Sequence, residues 1–190
     1  MRRLGTKVSV AGGLVVVAGA LVLLTGWGVD TGDAQVCLVL AMMGAGMGLA
    51  MSPATEAIMG SLPPERAGIG SAMNDVVREV SGTLGIAVLG SVLASAYSGG
   101  MDSAVAGLPG DAAAAASDSV GAAHQVAAQT GSADLVTAAN QAFVDAMSTT
   151  ASIAAGIAMA GALIAVAFLP ARAKARAAYG ASPAFETGVK

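Results

Sequence analysis

Charged residues are scarce in this chain: they make up 11% of its 190 residues, against about 25% in soluble globular domains. So few charges leave too little polar surface to face water, which argues against a soluble protein. Aromatic residues reach only 3%, and a single cysteine excludes a disulfide within the chain. That cysteine, Cys37, lies inside an apolar run, where we expect a packed thiol. The remaining composition is 55% hydrophobic with 26 glycines, which is typical of an integral membrane protein.

Four long apolar segments carry most of this hydrophobicity. They predict an all-α fold, an integral membrane bundle of four transmembrane helices, because a bilayer core of about 30 Å needs roughly 20 helical residues. None of the four shows the strict alternation of a transmembrane β-strand. Three predicted helices, at residues 8–27, 34–59 and 69–98, lie with their short turns within residues 1–98. The fourth predicted helix covers residues 141–170, and a basic tail follows over residues 171–190.

Residues 99–140 form a long link, rich in Ala, Gly and Asp, between the third and fourth segments. Asp111 is placed to cap a short helix through Gln129, and Ser132 to cap a helix that continues into the fourth segment. These helices lack a bulky apolar face, so we expect them to be mobile. The single histidine, His124, is expected to be solvated.

All nine basic residues fall on one side of the four predicted crossings. The positive-inside rule therefore predicts that both termini lie in the cytoplasm, with the 99–140 link outside the cytoplasmic membrane. A cleaved signal peptide is the alternative for the first segment, but its apolar run is long for one and three more spans follow. The basic residues are Arg2, Arg3, Lys7, Arg66, Arg78, Arg172, Lys174, Arg176 and Lys190; the two opposite turns carry only Asp30, Asp33, Asp102, Asp111, Asp118, Asp134 and Asp145.

The second segment combines a carboxylate with a proline and paired glycines. Glu56 lies near its inner end, and a carboxylate within the membrane indicates proton or substrate handling. At the depth of the interface, the same carboxylate would simply be solvated or pair with Arg66. Pro53 should kink the helix, while Gly44 and Gly48 form a GxxxG pair suited to close packing or to lining a cavity.

The third segment begins with a polar face. Asn74 and Arg78 are one turn apart, and Gly82 and Gly85 continue the same side with small residues. Such a face suits a tightly packed, moving interface. It also suits an ordinary helix end at the interface, with Arg78 reaching the cytoplasmic headgroups.

The predicted cytoplasmic turn before this helix carries Glu65 and Arg66. Asp75 and Glu79 would repel each other one turn apart unless one meets a cation, and Arg66 is the nearest candidate. No cluster of His, Cys or carboxylates has metal-ligand spacing, and neither a Ser/His/Asp arrangement nor a phosphate loop occurs. The sequence therefore indicates no enzyme and no cofactor, and we expect no nucleic-acid partner.

The stretch Pro63–Leu93, PPERAGIGSAMNDVVREVSGTLGIAVLGSVL, closely resembles the penultimate helix and its preceding turn in fourteen-helix drug:proton antiporters of the major facilitator superfamily. The glycine-rich helix that ends MSPATE at Glu56 resembles the helix before it. RRLGTK, at residues 2–7, resembles the end of the superfamily's cytoplasmic loop motif, and QAFVD, at 141–145, fits the start of the last helix. The resemblance implies that the four segments correspond to helices 11–14, the C-terminal portion of such a transporter.

This resemblance implies proton-coupled multidrug efflux, with the second segment lining a central cavity and the third packing against the N-terminal half. The implied partners are the lipid bilayer, a lipophilic small-molecule substrate, protons, and the transporter helices that would precede these four or another chain. Four helices do not form two halves that alternate around a midplane site, so we do not expect the isolated chain to transport. The alternatives are a self-contained four-helix protein acting as an oligomeric small transporter and a non-transporting accessory subunit. Small exporters carry a carboxylate in their first helix, which segment 8–27 lacks.

Overall fold

The computed structural model describes residues 5–60 and 67–169, apart from the side chains of residues 56–60 and 67. This part of the chain is all-helical, and four of its helices are long and apolar enough to cross a membrane. The predicted all-α fold with four candidate spans is therefore confirmed. Glu65, Arg66 and the side chain of Glu56 lie outside the described residues. The helices are α1 Thr6–Leu24, α2 Asp33–Gly60, α3 Ala67–Val105, α4 Gly110–Asp118, α5 Val120–Thr130 and α6 Ala133–Phe168.

Two of the four long helices are nearly twice as long as one membrane crossing. α3 has 39 residues and α6 has 36. At ~1.5 Å per residue they reach roughly 54–58 Å, against a hydrocarbon core of about 30 Å. α3 is unbroken through its polar stretch, as predicted, but continues to Val105. α6 begins directly after Ser132, whose Oγ accepts a hydrogen bond from the Leu135 amide at 3.2 Å, which confirms the predicted cap.

The link between α3 and α6 holds two helices, so the prediction of one helix from Asp111 to Gln129 is wrong. Ser119 adopts an extended backbone that separates α4 from α5, and its Oγ caps α5 by accepting a hydrogen bond from the Ala122 amide. The predicted cap at Asp111 is also wrong, because α4 begins one residue earlier and has no side-chain cap. Gly131 ends α5 in the left-handed region, with φ at 68°, where glycine carries no Cβ penalty.

Helices α4 and α5, residues 110–130, form a cap that packs on the adjoining halves of α3 and α6. Their alanines share a buried cluster with Tyr97, Met101 and Leu135. Ala116 and Ala123 are fully buried. These helices pack mainly through alanine rather than through a bulky apolar face. Their expected mobility stays a prediction. Small side chains bury little area each, but they let helix backbones approach closely and fill the space without voids.

The four long helices neighbour one another in the order α2, α1, α6, α3. α1 packs on both α2 and α6, α6 packs on α3, and the contact between α2 and α3 is slight. Ser148 of α6 donates a hydrogen bond to the Thr25 carbonyl oxygen at the end of α1, with the two oxygens 3.1 Å apart. The inner pair of the four is therefore α1 with α6, and α2 and α3 flank it.

Helices α1 and α2 approach each other most closely at two glycines. A Cβ on Gly13 would lie 2.5 Å from the Gly46 carbonyl oxygen, and a Cβ on Gly46 would lie 2.7 Å from Cγ2 of Val17. No side chain fits at either position without moving a helix. Glycine is thus required at this crossing by the distance between the two backbones.

The flanking helices leave much apolar surface uncovered. Cys37 of α2 is exposed, so the prediction of a packed thiol is wrong: no described helix covers that side of α2. Only 6% of the most apolar stretch of α3 is buried, the lowest share among the four long helices. Its N-terminal part, as far as Val88, exposes large apolar side chains on several sides: Ile69, Met73, Val76, Val77, Val80, Leu84, Ile86 and Val88.

Candidate functional site

The predicted site residues that the structure describes lie on α2 and α3, and a side-chain hydrogen bond joins the two helices there. Nη2 of Arg78 donates to Sδ of Met51 across 3.9 Å. A thioether is a weak acceptor with a polarizable surface, so this contact holds the guanidinium loosely. It brings a predicted site residue of α3 close to the part of α2 that contains Pro53. The sequence carries no signal that Met51 would be the contact.

The paired glycines of α2 do not make the close contact that their motif suggests. Gly44 and Gly48 are exposed, and a Cβ on either would meet nothing within 4 Å. Gly46 between them makes the contact with α1, because residues two apart on a helix point about 200° apart. Gly44 and Gly48 therefore face away from α1. Their role in lining a cavity stays a prediction.

Pro53 lies inside α2, which continues on both sides of it, and its side chain is half-buried. The predicted carboxylate, Glu56, follows one turn later in the same helix. Its backbone is helical, and its side chain is not among those described. Substrate or proton handling at this end of α2 stays a prediction.

The polar side of α3 is open in the described chain. Arg78 and Gly82 are exposed, and Asn74 and Gly85 are half-buried. A Cβ on Gly82 or Gly85 would meet nothing within 4 Å. The four residues share one side of the helix, as their spacing predicts. The interface role predicted for them is untested by contacts within this chain.

A polar groove lies at the other end of α2, between the α1–α2 turn and the start of α6. It encloses about 730 Å³ and is lined by residues 28–32 and Gln35 on one side and by Thr137, Asn140 and Gln141 on the other. Asp30 supplies its carboxylate. Sequence reasoning missed this groove, because its two walls are about a hundred residues apart and only the packing of α1 on α6 brings them together.

The side chain of Thr31 closes the α1–α2 turn. Helix α5 borders the groove. The Thr31 hydroxyl accepts from the Gly28 amide and donates to the Gly28 carbonyl oxygen, both at 2.8 Å. His124 is exposed, as predicted, but its Nε2 lies 2.9 Å from Oδ1 of Asn140, so α5 is tied to α6 beside the groove. Among the side chains that the structure describes, no three His, Cys, Asp or Glu groups are placed to hold a metal ion.

Comparison with known proteins gives relatives for about half of the chain. No family model matches it. A multidrug transporter protein of Bacillus subtilis, MdtP, is 34% identical over 91 residues, or 48% of this chain and 17% of the relative. The multidrug resistance protein Stp of Mycobacterium tuberculosis is 36% identical over 93 residues, 49% of this chain and 17% of the relative. A triacylglyceride transporter of Mycolicibacterium smegmatis is 34% identical over 99 residues, 47% of this chain and 18% of the relative.

These relatives are transporters. Three matches of similar identity, together with four helices able to cross a membrane, make this chain a membrane protein related in sequence to transporters. The match spans less than a fifth of the length of each relative. The activity and the substrates of the whole relatives therefore come to this chain only as a proposal.

Proposed function

We propose that this chain serves as part of a proton-coupled multidrug efflux transporter of the cytoplasmic membrane and supplies the C-terminal helices of a fourteen-helix antiporter of the major facilitator superfamily. The observation that carries the proposal is the identity of 34–36% between half of the chain and two proteins named for multidrug transport or resistance. The resemblance of Pro63–Leu93 to the penultimate helix of such antiporters agrees with it.

The surfaces of α2 and α3 support a role within a larger assembly. Both helices flank the α1–α6 pair and expose apolar and polar side chains together. Asp75, Arg78 and Glu79 lie within a helix long enough to span, and a charge at the centre of a bilayer costs roughly 2.5–3.5 kcal/mol on insertion scales. Further transmembrane helices would cover these charges and the small residues beside them.

The distribution of charge supports an orientation for this part. With both termini in the cytoplasm, the Arg78 end of α3 faces the cytoplasm, and the polar groove and the α4–α5 cap face outward. In the complete transporter, α2 contacts a lipophilic substrate through the side that carries Gly44 and Gly48. α3 forms part of the interface that moves during transport.

A chimera tests the proposal. The segment of the Bacillus subtilis relative that aligns with this chain is replaced by this chain's own segment, and ethidium efflux is measured in bacteria that lack their main exporters. We expect the chimera to lower ethidium accumulation, and a protonophore to abolish that effect. The intact relative and the relative without the segment are the controls. A chimera that reaches the membrane in normal amount but exports no ethidium would overturn the proposal.

A second measurement distinguishes a chain that is part of a larger transporter from a chain that transports by itself. The 190-residue chain is reconstituted alone in liposomes with an imposed pH gradient and an internal pH dye. We expect no proton flux on addition of ethidium, because four helices do not build two halves around a midplane site. A substrate-dependent flux would contradict the proposed partnership and favour an oligomeric four-helix transporter.

A further inference from the structure

The two halves of α3 differ in burial: the second half packs against other helices, and the first half is exposed. In the second half, Tyr97 is 3% exposed and Met101 is fully buried, in a cluster formed with α4, α5 and α6. In the first half, residues such as Ile69 and Leu84 expose 60% or more of their surface. Within the part of the chain that the structure describes, this helix of 39 residues is therefore packed tightly over its second half and not over its first.

A buried hydrogen bond fastens the held part to the cap. The Tyr97 hydroxyl donates to the Ala116 carbonyl oxygen across 3.0 Å. Ala116 lies in the last turn of α4, where carbonyl oxygens have no partner within the helix. A buried carbonyl oxygen without a hydrogen-bond partner destabilises the fold. The Tyr97 hydroxyl therefore holds the C-terminal end of α4 at a fixed position along α3.

Close packing fastens α3 to α6 at the same level. A Cβ on Gly100 would lie 3.0 Å from Cβ of Ala142, whereas a Cβ on the neighbouring Gly99 would meet nothing within 4 Å. Ala139 of α6 and Ala123 of α5 are fully buried beside them. The cap, the second half of α3 and the first part of α6 thus interlock through alanine and glycine.

We propose that the α4–α5 cap is a clamp that fixes the second half of α3 to α6, with Tyr97 as its positioning residue. The clamp sets the direction in which α3 continues, and so sets where its exposed first half meets a partner. This inference rests on contacts within the chain and stands whether or not the chain belongs to an exporter.

Thiol labelling tests whether the cap stays closed. The Cys37→Ala chain in lipid nanodiscs receives either Ala123→Cys or Ala128→Cys, which place the same residue change on the buried and the exposed side of α5. We expect a polar maleimide to label position 123 at least tenfold more slowly than position 128. Adding Tyr97→Phe should speed labelling at position 123 by about three- to tenfold, as the loss of one hydrogen bond implies.

Spin-label distances test whether the clamp positions the far end of α3. In the Cys37→Ala chain, labels at Ile69→Cys and Ile164→Cys, both at exposed positions, report the separation of α3 and α6 beyond the clamp. We expect Tyr97→Phe to broaden this distance distribution. Gly100→Leu should broaden or shift it as well, while the matched Gly99→Leu leaves it unchanged. Circular dichroism of each variant is the check that its helix content is unchanged.

Two outcomes would overturn the proposal. Equal labelling rates at positions 123 and 128 would mean that the cap does not pack on α3 and α6 in a membrane. An unchanged distance distribution in both Tyr97→Phe and Gly100→Leu would mean that the cap packs there without directing α3. Because Gly100→Leu keeps the phenol, it tests the clamp independently if Tyr97→Phe fails to fold.

Discussion

At the scale of single residues, glycine matters in this protein where two backbones meet, and sequence spacing is a poor guide to that place. Gly44 and Gly48 have the spacing of a helix-packing motif, yet Gly46 between them contacts α1. Its partner is Gly13, in a segment whose glycines form no such motif. The motif describes one helix, whereas the contact depends on which side of that helix its neighbour occupies.

The crossing of α1 and α2 gives a first prediction. Gly46→Ala should lower the free energy of unfolding by about 1–3 kcal/mol, because the added Cβ overlaps Val17 and the Gly13 carbonyl oxygen. Fluorescence of the single tryptophan, Trp27, during denaturation of the chain in mixed micelles measures the change. Gly44→Ala is the matched control, since its Cβ meets open space and improves helix propensity. Equal effects of the two substitutions would show that the crossing lies elsewhere.

Arg78 gives a second prediction, which depends on the proposed function. In the transport-competent chimera, Arg78→Ala should reduce ethidium efflux several-fold while leaving the amount of protein in the membrane nearly unchanged. Arg78 is exposed and, among the described residues, its guanidinium donates to a thioether, so removing it should cost little stability. Arg78→Lys keeps the charge but loses the planar donor group, and should retain part of the activity. Unchanged efflux by Arg78→Ala at normal expression would count against an interface role.

At the scale of helices, small polar side chains decide where elements begin and how they are tied together. Ser119 and Ser132 cap α5 and α6, and Ser148 links α6 to the end of α1. Spacing indicated the cap at Ser132, because a long apolar run follows it. It did not indicate Ser119, because alanine-rich sequence on both sides has equal propensity for one helix or two.

The cap at Ser119 gives a third prediction. Ser119→Ala should destabilise the start of α5 by about 1 kcal/mol, because the Ala122 amide loses its acceptor. Hydrogen exchange of residues 120–123 should accelerate about fivefold, while exchange along α6 stays the same. Ser95→Ala, at an exposed position within α3, serves as the control. No local change in exchange would show that α5 begins without this cap.

The bond between α1 and α6 gives a fourth prediction. Ser148→Ala should lower the free energy of unfolding by about 0.6 kcal/mol, a typical value for a hydrogen bond between membrane helices. Ser152→Ala is the control, since its hydroxyl donates within α6 to the Ser148 carbonyl oxygen and crosses to no other helix. Parallel unfolding curves of the two variants measure the difference. A larger loss from Ser152→Ala would place the joining contact at another level of α6.

At the scale of the whole molecule, charge is sorted between the two ends of the bundle. The α1–α2 turn and the α3–α6 link hold Asp30, Asp111 and Asp118 with no lysine or arginine, and the adjoining ends of α2, α3 and α6 add four more aspartates. Of the basic residues that the structure describes, Lys7 and Arg78 lie toward the opposite ends of their helices. The cap and the polar groove share the acidic end. The orientation of the complete chain in the membrane can therefore be tested by one labelling experiment.

This sorting gives a fifth prediction. In a Cys37→Ala background, a membrane-impermeant maleimide added to intact bacteria should label Ala128→Cys on the exposed side of α5. The same reagent should label Ser71→Cys, at the start of α3, only after the membrane is permeabilised. The opposite pattern would reverse the orientation, and labelling of both positions in intact cells would contradict a single crossing by α3.

Much of the architecture follows from the sequence, because a bilayer imposes simple demands. Four apolar runs of sufficient length predict four helices, since a backbone in hydrocarbon must satisfy its own hydrogen bonds. The unbroken polar start of α3 and the cap at Ser132 were predicted for the same local reasons. The resemblance of Pro63–Leu93 to drug antiporters pointed to transporters, and the relatives MdtP and Stp agree. All of this information is local in the chain.

Only the tertiary structure decided which helix surfaces pack against each other. The contact of Gly13 with Gly46, the thioether beside Arg78 and the burial of Tyr97 under Ala116 join residues that are between 19 and 33 positions apart. The exposure of Cys37 was decided in the same way. Alanine and glycine carry no signal of the side on which they will be buried, because hydropathy is nearly uniform around these helices. The sequence by itself determined four helices long and apolar enough to cross a membrane, and the separation of acidic from basic residues along the chain. Only packing determined that, among the described residues, the second half of α3 is buried and the first half is exposed.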